Sequence, residues 1–141
     1  MRLARETPEL AMVDDQTGAP TWARALADAT AELMRQNELI ARHSGLYRIA
    51  VGGYTSRDEF ANDIIRIMQD LSGRPGGWGK VRPITPHQYP LPARRPRNSA
   101  ISRDKVKRVF GIEMAAWRQQ LQDCLGDPGT HDAFQGLVRG R

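Results

Sequence analysis

The sequence predicts an α/β fold in which short parallel strands are covered by helices. Three observations carry this prediction. Short apolar segments alternate with longer amphipathic ones in the order strand, helix, strand, helix, strand, followed by irregular chain and two helices. The strand segments are apolar on both faces, as the strands of a covered parallel sheet are. Thirteen glycines and nine prolines in 141 residues exceed what a helical bundle tolerates and fit a loop-rich mixed fold.

Each element has a local reason. Met1 to Glu6 reads as the end of a helix, stopped by Pro8. Glu9-Leu10-Ala11-Met12-Val13 is too short for a buried helix and suits a strand that ends at Asp14-Asp15. Gly18 and Pro20 mark a turn. Thr21 stands at an N-cap position, and Trp22, Leu26, Ala29 and Leu33 recur on one helical face to about Gln36. Leu46 to Val51 is rich in strand formers and is closed by Gly52-Gly53. Ser56 and Glu59 have the spacing of a capping box, and Phe60, Ile64, Ile67, Met68 and Leu71 continue one helical face from it until Gly73.

Gly73 to Gly79 is a run of breakers. Val81 to Ile84 reads as a short strand that Pro83 restricts to an edge or a terminus. Pro86 to Asn98 is dominated by proline and arginine and forms no regular element. Ser102 suits the cap of a helix through Phe110, and a last helix runs from about Glu113 to Leu125. Residues 1–125 are therefore expected to form one folded unit, and residues 126–141 a mobile tail.

Composition narrows the function classes. Lys and Arg outnumber Asp and Glu by 21 to 16, a formal charge of +5, with a pI near 10.0. That balance permits contact with phosphates without identifying them. The basic residues are spread along the chain and no nucleic-acid motif accompanies them, so no nucleic-acid partner is expected. A lone cysteine, Cys124, excludes a disulfide-stapled scaffold. No apolar run reaches the ~20 residues that span a bilayer, and the first ten residues lack the apolar core of a signal peptide. The expectation is a cytoplasmic protein with no membrane partner.

Most catalytic chemistry is missing. No G-x-G-x-x-G follows a strand, and no phosphate-loop motif is present. The glycines at positions 73, 76, 77 and 79 precede no helix that would complete an anion site. His43, His87 and His131 lack ligand spacing, so no metal site is expected. Cys124 lies in an amphipathic helix where a small apolar residue belongs.

Two segments rise above this background. The first, Asp14-Asp15-Gln16-Thr17-Gly18-Ala19-Pro20-Thr21, holds polar groups in a turn between a strand end and a helix start. In open α/β sheets ligands bind at that end of the strands. The second, Tyr89-Pro90-Leu91-Pro92-Ala93-Arg94-Arg95-Pro96-Arg97-Asn98-Ser99, stiffens a set of arginines with prolines. Guanidinium forks suit phosphate oxygens.

These two segments, together with Gly45-Leu46-Tyr47, Gly52-Gly53 and Trp117, resemble the C-terminal half of the dTDP-4-dehydrorhamnose reductases, a family of extended short-chain dehydrogenases. The resemblance runs from Met1 to about Leu125. It implies a partial Rossmann-like C-terminal half with a small substrate-binding subdomain. It also implies the reduction of dTDP-4-dehydro-β-L-rhamnose by NADPH to dTDP-L-rhamnose, for cell-surface polysaccharide.

In that family the N-terminal half carries the glycine-rich cofactor loop and a Tyr-x-x-x-Lys catalytic pair. Here Tyr47, Tyr54 and Tyr89 are followed four places on by Val51, Asp58 and Ala93, so the pair is absent. The resemblance thus implies a truncated or split reductase, inactive alone, with no catalytic residue and no NADPH site in this chain. Its partners are a dTDP-sugar and a separate N-terminal reductase half; it does not specify magnesium. Gln16, Thr21, Arg94 and Arg95 are expected in the neighbourhood of the sugar-nucleotide pocket, and Trp117 in the packing of the last helix. The alternative is a non-catalytic binding or regulatory subunit derived from the reductase fold.

Overall fold

The computed structural model describes residues 2–73, 76–90, 92–93 and 95–130. Along the chain run α1 (Arg2–Glu6), β1 (Glu9–Val13), β2 (Thr17–Gly18), α2 (Ala23–Met34), α3 (Asn37–Arg42), β3 (Thr55–Ser56), α4 (Arg57–Ser72) and β4 (Lys80–Ile84). A single 3-10 turn (Pro86–Gln88), α5 (Asp104–Phe110) and α6 (Trp117–Gly126) complete the series.

β1 and β4 pair in parallel, from Glu9 opposite Lys80 to Val13 opposite Ile84. A parallel pair needs a long crossover, and the chain through α4 supplies it. Lys80 N–H donates to Pro8 O at 2.9 Å and Asp14 N–H to Ile84 O at 3.2 Å. The even-numbered backbone groups of both strands therefore face each other, and the odd-numbered ones face outward. Pro83 sits at an outward position, where its missing N–H costs the ladder nothing. This is the edge placement that the sequence predicts.

α4 is the central helix. Ser56 Oγ accepts the Glu59 N–H at 3.3 Å, one half of a capping box. The Glu59 carboxylate takes no part in the other half; it accepts from Thr55 Oγ1 at 2.8 Å and from Arg118. Gly73 ends the helix in the left-handed conformation, at φ 61°. Ile67 and Met68 join Val51, Trp117, Leu121 and Leu125 in the main core, with Phe60, Ile64 and Trp78 packed against it. Leu71, expected on the same face, is exposed. Trp117 is buried and meets Phe60 edge-on at 6.0 Å, the packing role expected of it. A second cluster gathers Val106, Phe110 and Ile112 beneath Ala29, Leu33 and Ile40.

Several sequence expectations are corrected. Leu46 to Val51 is extended but pairs as no strand. The Val51 N–H goes to a side chain, Thr21 Oγ1, at 3.1 Å, and only Gly52 makes a bridge, to Ala116. A Cβ on Gly52 would lie 3.1 Å from the carbonyl oxygens of Met114 and Ala115, so this close crossing favours glycine. The cap of α2 is Trp22, with no side-chain bond, because Thr21 is occupied with Val51.

The helix expected to run to about Gln36 ends at Met34, within two residues of that bound, and α3 follows as a separate short helix. Arg103 stands at the N-cap position of α5 without a side-chain bond, while Ser102 Oγ accepts the Asp104 N–H at 3.4 Å. The last helix begins at Trp117 rather than Glu113. β2, in the segment read as a turn, and β3, which contains the Ser56 cap, pair antiparallel. Most of the tail expected to be mobile, residues 131–141, lies outside the described residues. Before it, Asp127 is ion-paired with Arg24 of α2.

Candidate functional site

The turn after β1 and the arginine-proline loop meet in space. β2 is the meeting point: Thr17 N–H donates to Arg97 O at 2.8 Å, and Ser99 N–H donates back to Thr17 O at 2.9 Å. Ser99 Oγ adds a bond to the same carbonyl at 3.0 Å. Arg97 reaches Asp15 at 3.6 Å, while the other Asp15 carboxylate oxygen, Oδ1, is buried without a partner among the described residues. On its other side β2 pairs with β3, Thr17 opposite Ser56 and Gly18 opposite Thr55. A segment eighty residues downstream thus lies on one flank of the turn and the start of α4 on the other.

Between them opens a cleft of about 420 Å³. Gln16 to Pro20 form its floor, Thr55, Ser56, Arg57 and Phe60 one wall, and Arg95, Pro96 and Ser99 the other. Its chemistry is mixed. Hydroxyls from Thr17, Thr55 and Ser99 and the Gln16 amide offer donors and acceptors. Phe60 supplies an aromatic face, and Arg57 and Arg95 are the two cations among the lining residues. Arg57 opens α4, whose free N–H groups give that end partial positive charge. Such a lining fits an anionic, hydroxylated ligand with one flat apolar part.

The residues predicted from sequence fare differently. Gln16 and Arg95 line the cleft together. Thr21 stands behind the floor: its hydroxyl donates to Ala19 O at 3.1 Å and accepts the Val51 N–H, so it holds Ala19 and Pro20 in place. Arg94 and Leu91 lie outside the described residues. Sequence reasoning missed Thr17, Ser99 and Arg57. Thr17 and Ser99 each stand in a segment already singled out, but their pairing is long-range. Arg57 follows the Ser56 cap, a position visible in sequence, yet nothing local says that the start of α4 faces the turn.

Other candidates resolve into structure. Burial pushes the Cys124 thiol up, which leaves it a poor nucleophile at neutral pH. Among the described residues no three metal-ligating side chains converge, and no helix is long and apolar enough to cross a membrane. His131 lies outside the described residues.

Known proteins match this arrangement. Residues 1–128 match the family model for the RmlD substrate binding domain. The chain is 41% identical to the dTDP-4-dehydrorhamnose reductase of Burkholderia thailandensis over 132 residues, which is 90% of this chain and 44% of that protein. With the Escherichia coli reductase it shares 33% identity over 134 residues, 95% of this chain and again 44% of the relative.

The fold matches the crystal structure of a Clostridium acetobutylicum dTDP-4-dehydrorhamnose reductase at a TM-score of 0.74 and 25% identity, over 95% of this chain and 41% of that one. A Bacillus anthracis reductase, crystallised in complex with NADP, has the same fold at a TM-score of 0.70 and 23% identity, over 86% of this chain and 39% of that one. The chain spans less than half the length of the curated relatives it matches. Those relatives are reductases, which does not favour the regulatory-subunit alternative. A substrate-binding model that fits from residue 1 to 128, on a chain whose turn and arginine loop close around one polar cleft, places this chain in the RmlD substrate binding domain family.

Proposed function

We propose that this chain is the dTDP-sugar-binding part of a dTDP-4-dehydrorhamnose reductase, and that the cleft between the Gln16 turn and the Arg95 loop receives the sugar nucleotide. The observation that carries this is that two arginines, Arg57 and Arg95, line the same hydroxyl-bearing cleft. In this reading Arg95 and Arg57 take the diphosphate, Gln16, Thr17 and Ser99 the sugar hydroxyls, and Phe60 an apolar flat surface of the ligand. Arg94 is assigned to the diphosphate side by sequence alone. Prolines on both sides of the arginine pair reduce the entropy lost when the loop meets its ligand.

The residues present do not fit the dinucleotide cofactor. Among the described residues the cleft is lined by no tyrosine–lysine pair to deliver a proton, and the sequence has no glycine loop to seat a pyrophosphate. No hydride step is therefore derived from this chain. NADPH and the catalytic pair are assigned to the part of the reductase that this chain does not span, on the same polypeptide or on another. This chain's task is to hold the substrate's nucleotide end and so orient its keto group. A cytoplasmic setting follows from a nucleotide-sugar substrate.

The test joins this chain to the cofactor-binding part of the Burkholderia thailandensis relative and measures dTDP affinity calorimetrically. The joined protein is expected to bind dTDP, and Arg95→Ala to weaken binding by about ten- to a hundredfold. Arg95→Lys recovers only part of this, since it keeps the charge and loses the fork. This chain alone is expected to oxidise no NADPH with dTDP-4-dehydrorhamnose. Unchanged dTDP affinity in Arg57→Ala and Arg95→Ala would remove the cleft from the function.

A further inference from the structure

A second groove, of about 440 Å³, lies between α2, α6 and residues 111–115, the chain that leads into α6. Ala25, Ala29, Ile112 and Met114 give it an apolar lining. Its charged lining is of one sign: Asp28, Glu32, Glu113 and Asp123 border it, and among the described residues no cation does. In a chain of formal charge +5 this inverts the local field. Glu32 and Glu113 are each balanced by one exposed cation, Arg35 and Lys107. Asp123 accepts from the neutral Gln119 amide at 2.9 Å, and Asp28 enters no ion pair among the described residues. No three metal-ligating side chains converge among those residues, so the groove suits charges spread along a chain and not a single ion.

Gln120 adds an independent mark. It is 3% exposed, and its side-chain carbonyl accepts the Trp22 N–H at 3.2 Å. Its amide nitrogen makes no hydrogen bond among the described residues, although Gln120 lines the groove. A buried donor of this kind calls for an acceptor, and a peptide carbonyl is one. Carboxylates, an apolar wall and a backbone-seeking donor together match a basic peptide.

We infer that the occupant is the chain's own segment 131–141, turned back along α2. It carries Arg139 and Arg141 for the carboxylates, and Phe134, Leu137 and Val138 for the apolar wall. It also starts in the right place. Thr130 N–H donates to Asp127 Oδ2 at 3.1 Å, and Asp127 pairs with Arg24 at the start of α2. From Trp22 to Glu32 the groove follows α2 for about 15 Å, well within the roughly 36 Å that the segment can span. Too poor in apolar residues to hold itself, the segment gains a partner surface in the groove. Being on the same chain, it meets that surface at an effective concentration of the order of 1 mM, so weak contacts suffice. It then draws α2, which buries no residue of its own, against α6. The inference does not depend on the function proposed above.

The test compares the whole chain with one ending at Thr130, by residue-resolved amide exchange and by the NMR signals of the Gln120 side-chain amide. The Ala25, Ala29 and Glu32 amides should exchange about tenfold more slowly in the whole chain, as an affinity near 0.1 mM at that effective concentration gives. The Gln120 side-chain signals should differ between the two chains. Arg139→Glu with Arg141→Glu should abolish the slowing, and adding Asp28→Lys with Asp123→Lys should restore it.

Equal exchange in the whole and the shortened chain overturns the inference, as does slowing that survives charge reversal at Arg139 and Arg141. Slowing that grows with protein concentration also overturns it and gives the groove to a second copy of the chain. If the shortened chain does not fold, the whole chain with Arg139→Glu and Arg141→Glu takes its place in the comparison.

Discussion

α2 and α4 carry the same kind of amphipathic stripe, yet they end in different surroundings. α4 buries Ile67 and Met68 between the sheet and α6, whereas α2 has no buried residue at all. Leu26 on the α2 stripe stays exposed, and Ala29 and Leu33 reach only the margin of the second cluster. A stripe states which face is apolar; what is laid against it decides how much is gained. The starts of the helices differ too. α4 begins with a serine cap, while Trp22 caps α2 with no side-chain bond of its own; its N–H donates to Gln120 Oε1 at 3.2 Å, and Arg24 pairs with Asp127.

The largest expected effect is on the α4 side. Trp117→Ala removes a buried side chain that packs on Phe60 and α4, and should cost about 3–5 kcal/mol in chemical denaturation. Leu26→Ala on α2 should change stability by less than about 0.5 kcal/mol. Similar losses at the two sites would mean that α2 is as embedded as α4.

Next comes the tie beneath α2. Val51 is fully buried, and its N–H has the Thr21 hydroxyl as partner. Thr21→Val keeps the shape and strands that N–H, at a cost of about 1–3 kcal/mol. dTDP affinity of the joined reductase should hardly change, because Thr21 supports the cleft floor from behind. A large loss of affinity with unchanged stability would put Thr21 in contact with ligand.

Ser56→Ala should cost about 1 kcal/mol, the worth of an N-cap, by thermal or urea unfolding. An alanine at Ser56 that leaves stability intact would show that tertiary packing alone orders the first turn of α4.

The smallest effect is the pH dependence of the α2–α6 tie. The Thr130 backbone N–H, and after it Arg24, hold the Asp127 carboxyl below the usual carboxylate value, against an opposing desolvation. A carboxyl with a lowered folded value contributes fully above its unfolded value, and that contribution is lost as pH falls through the folded value. The stability difference between the parent and Asp127→Asn should therefore be present near neutrality and shrink on acidification, as pH falls below the usual carboxylate value and through the lowered folded one. A difference that stays constant on acidification would detach Asp127 from the tie.

Local chemistry determined most of the elements. Leu10 to Val13 is too short an apolar run for a helix and forms a strand, although only Val13 of β1 is buried, and α4 starts at Ser56 and stops at Gly73 for reasons contained within each turn. Pro83 announced an edge, because a missing N–H is a property of the residue wherever it lies. The two cleft-lining segments were also legible as types, a polar turn after a strand and a stiffened arginine loop.

Tertiary structure decided the rest. Leu46 to Val51 has the composition of a strand, but a strand exists only beside another, and here Thr21 takes the Val51 N–H instead. Thr17 joins Arg97 and Ser99 across eighty residues chiefly through backbone groups that every residue possesses, with the Ser99 hydroxyl adding one bond, so the sequence carried little signal of the contact. The cleft is the product of that joining. Its residue types were fixed along the chain, but their convergence depends on long-range hydrogen bonds and burial, which belong to the folded molecule.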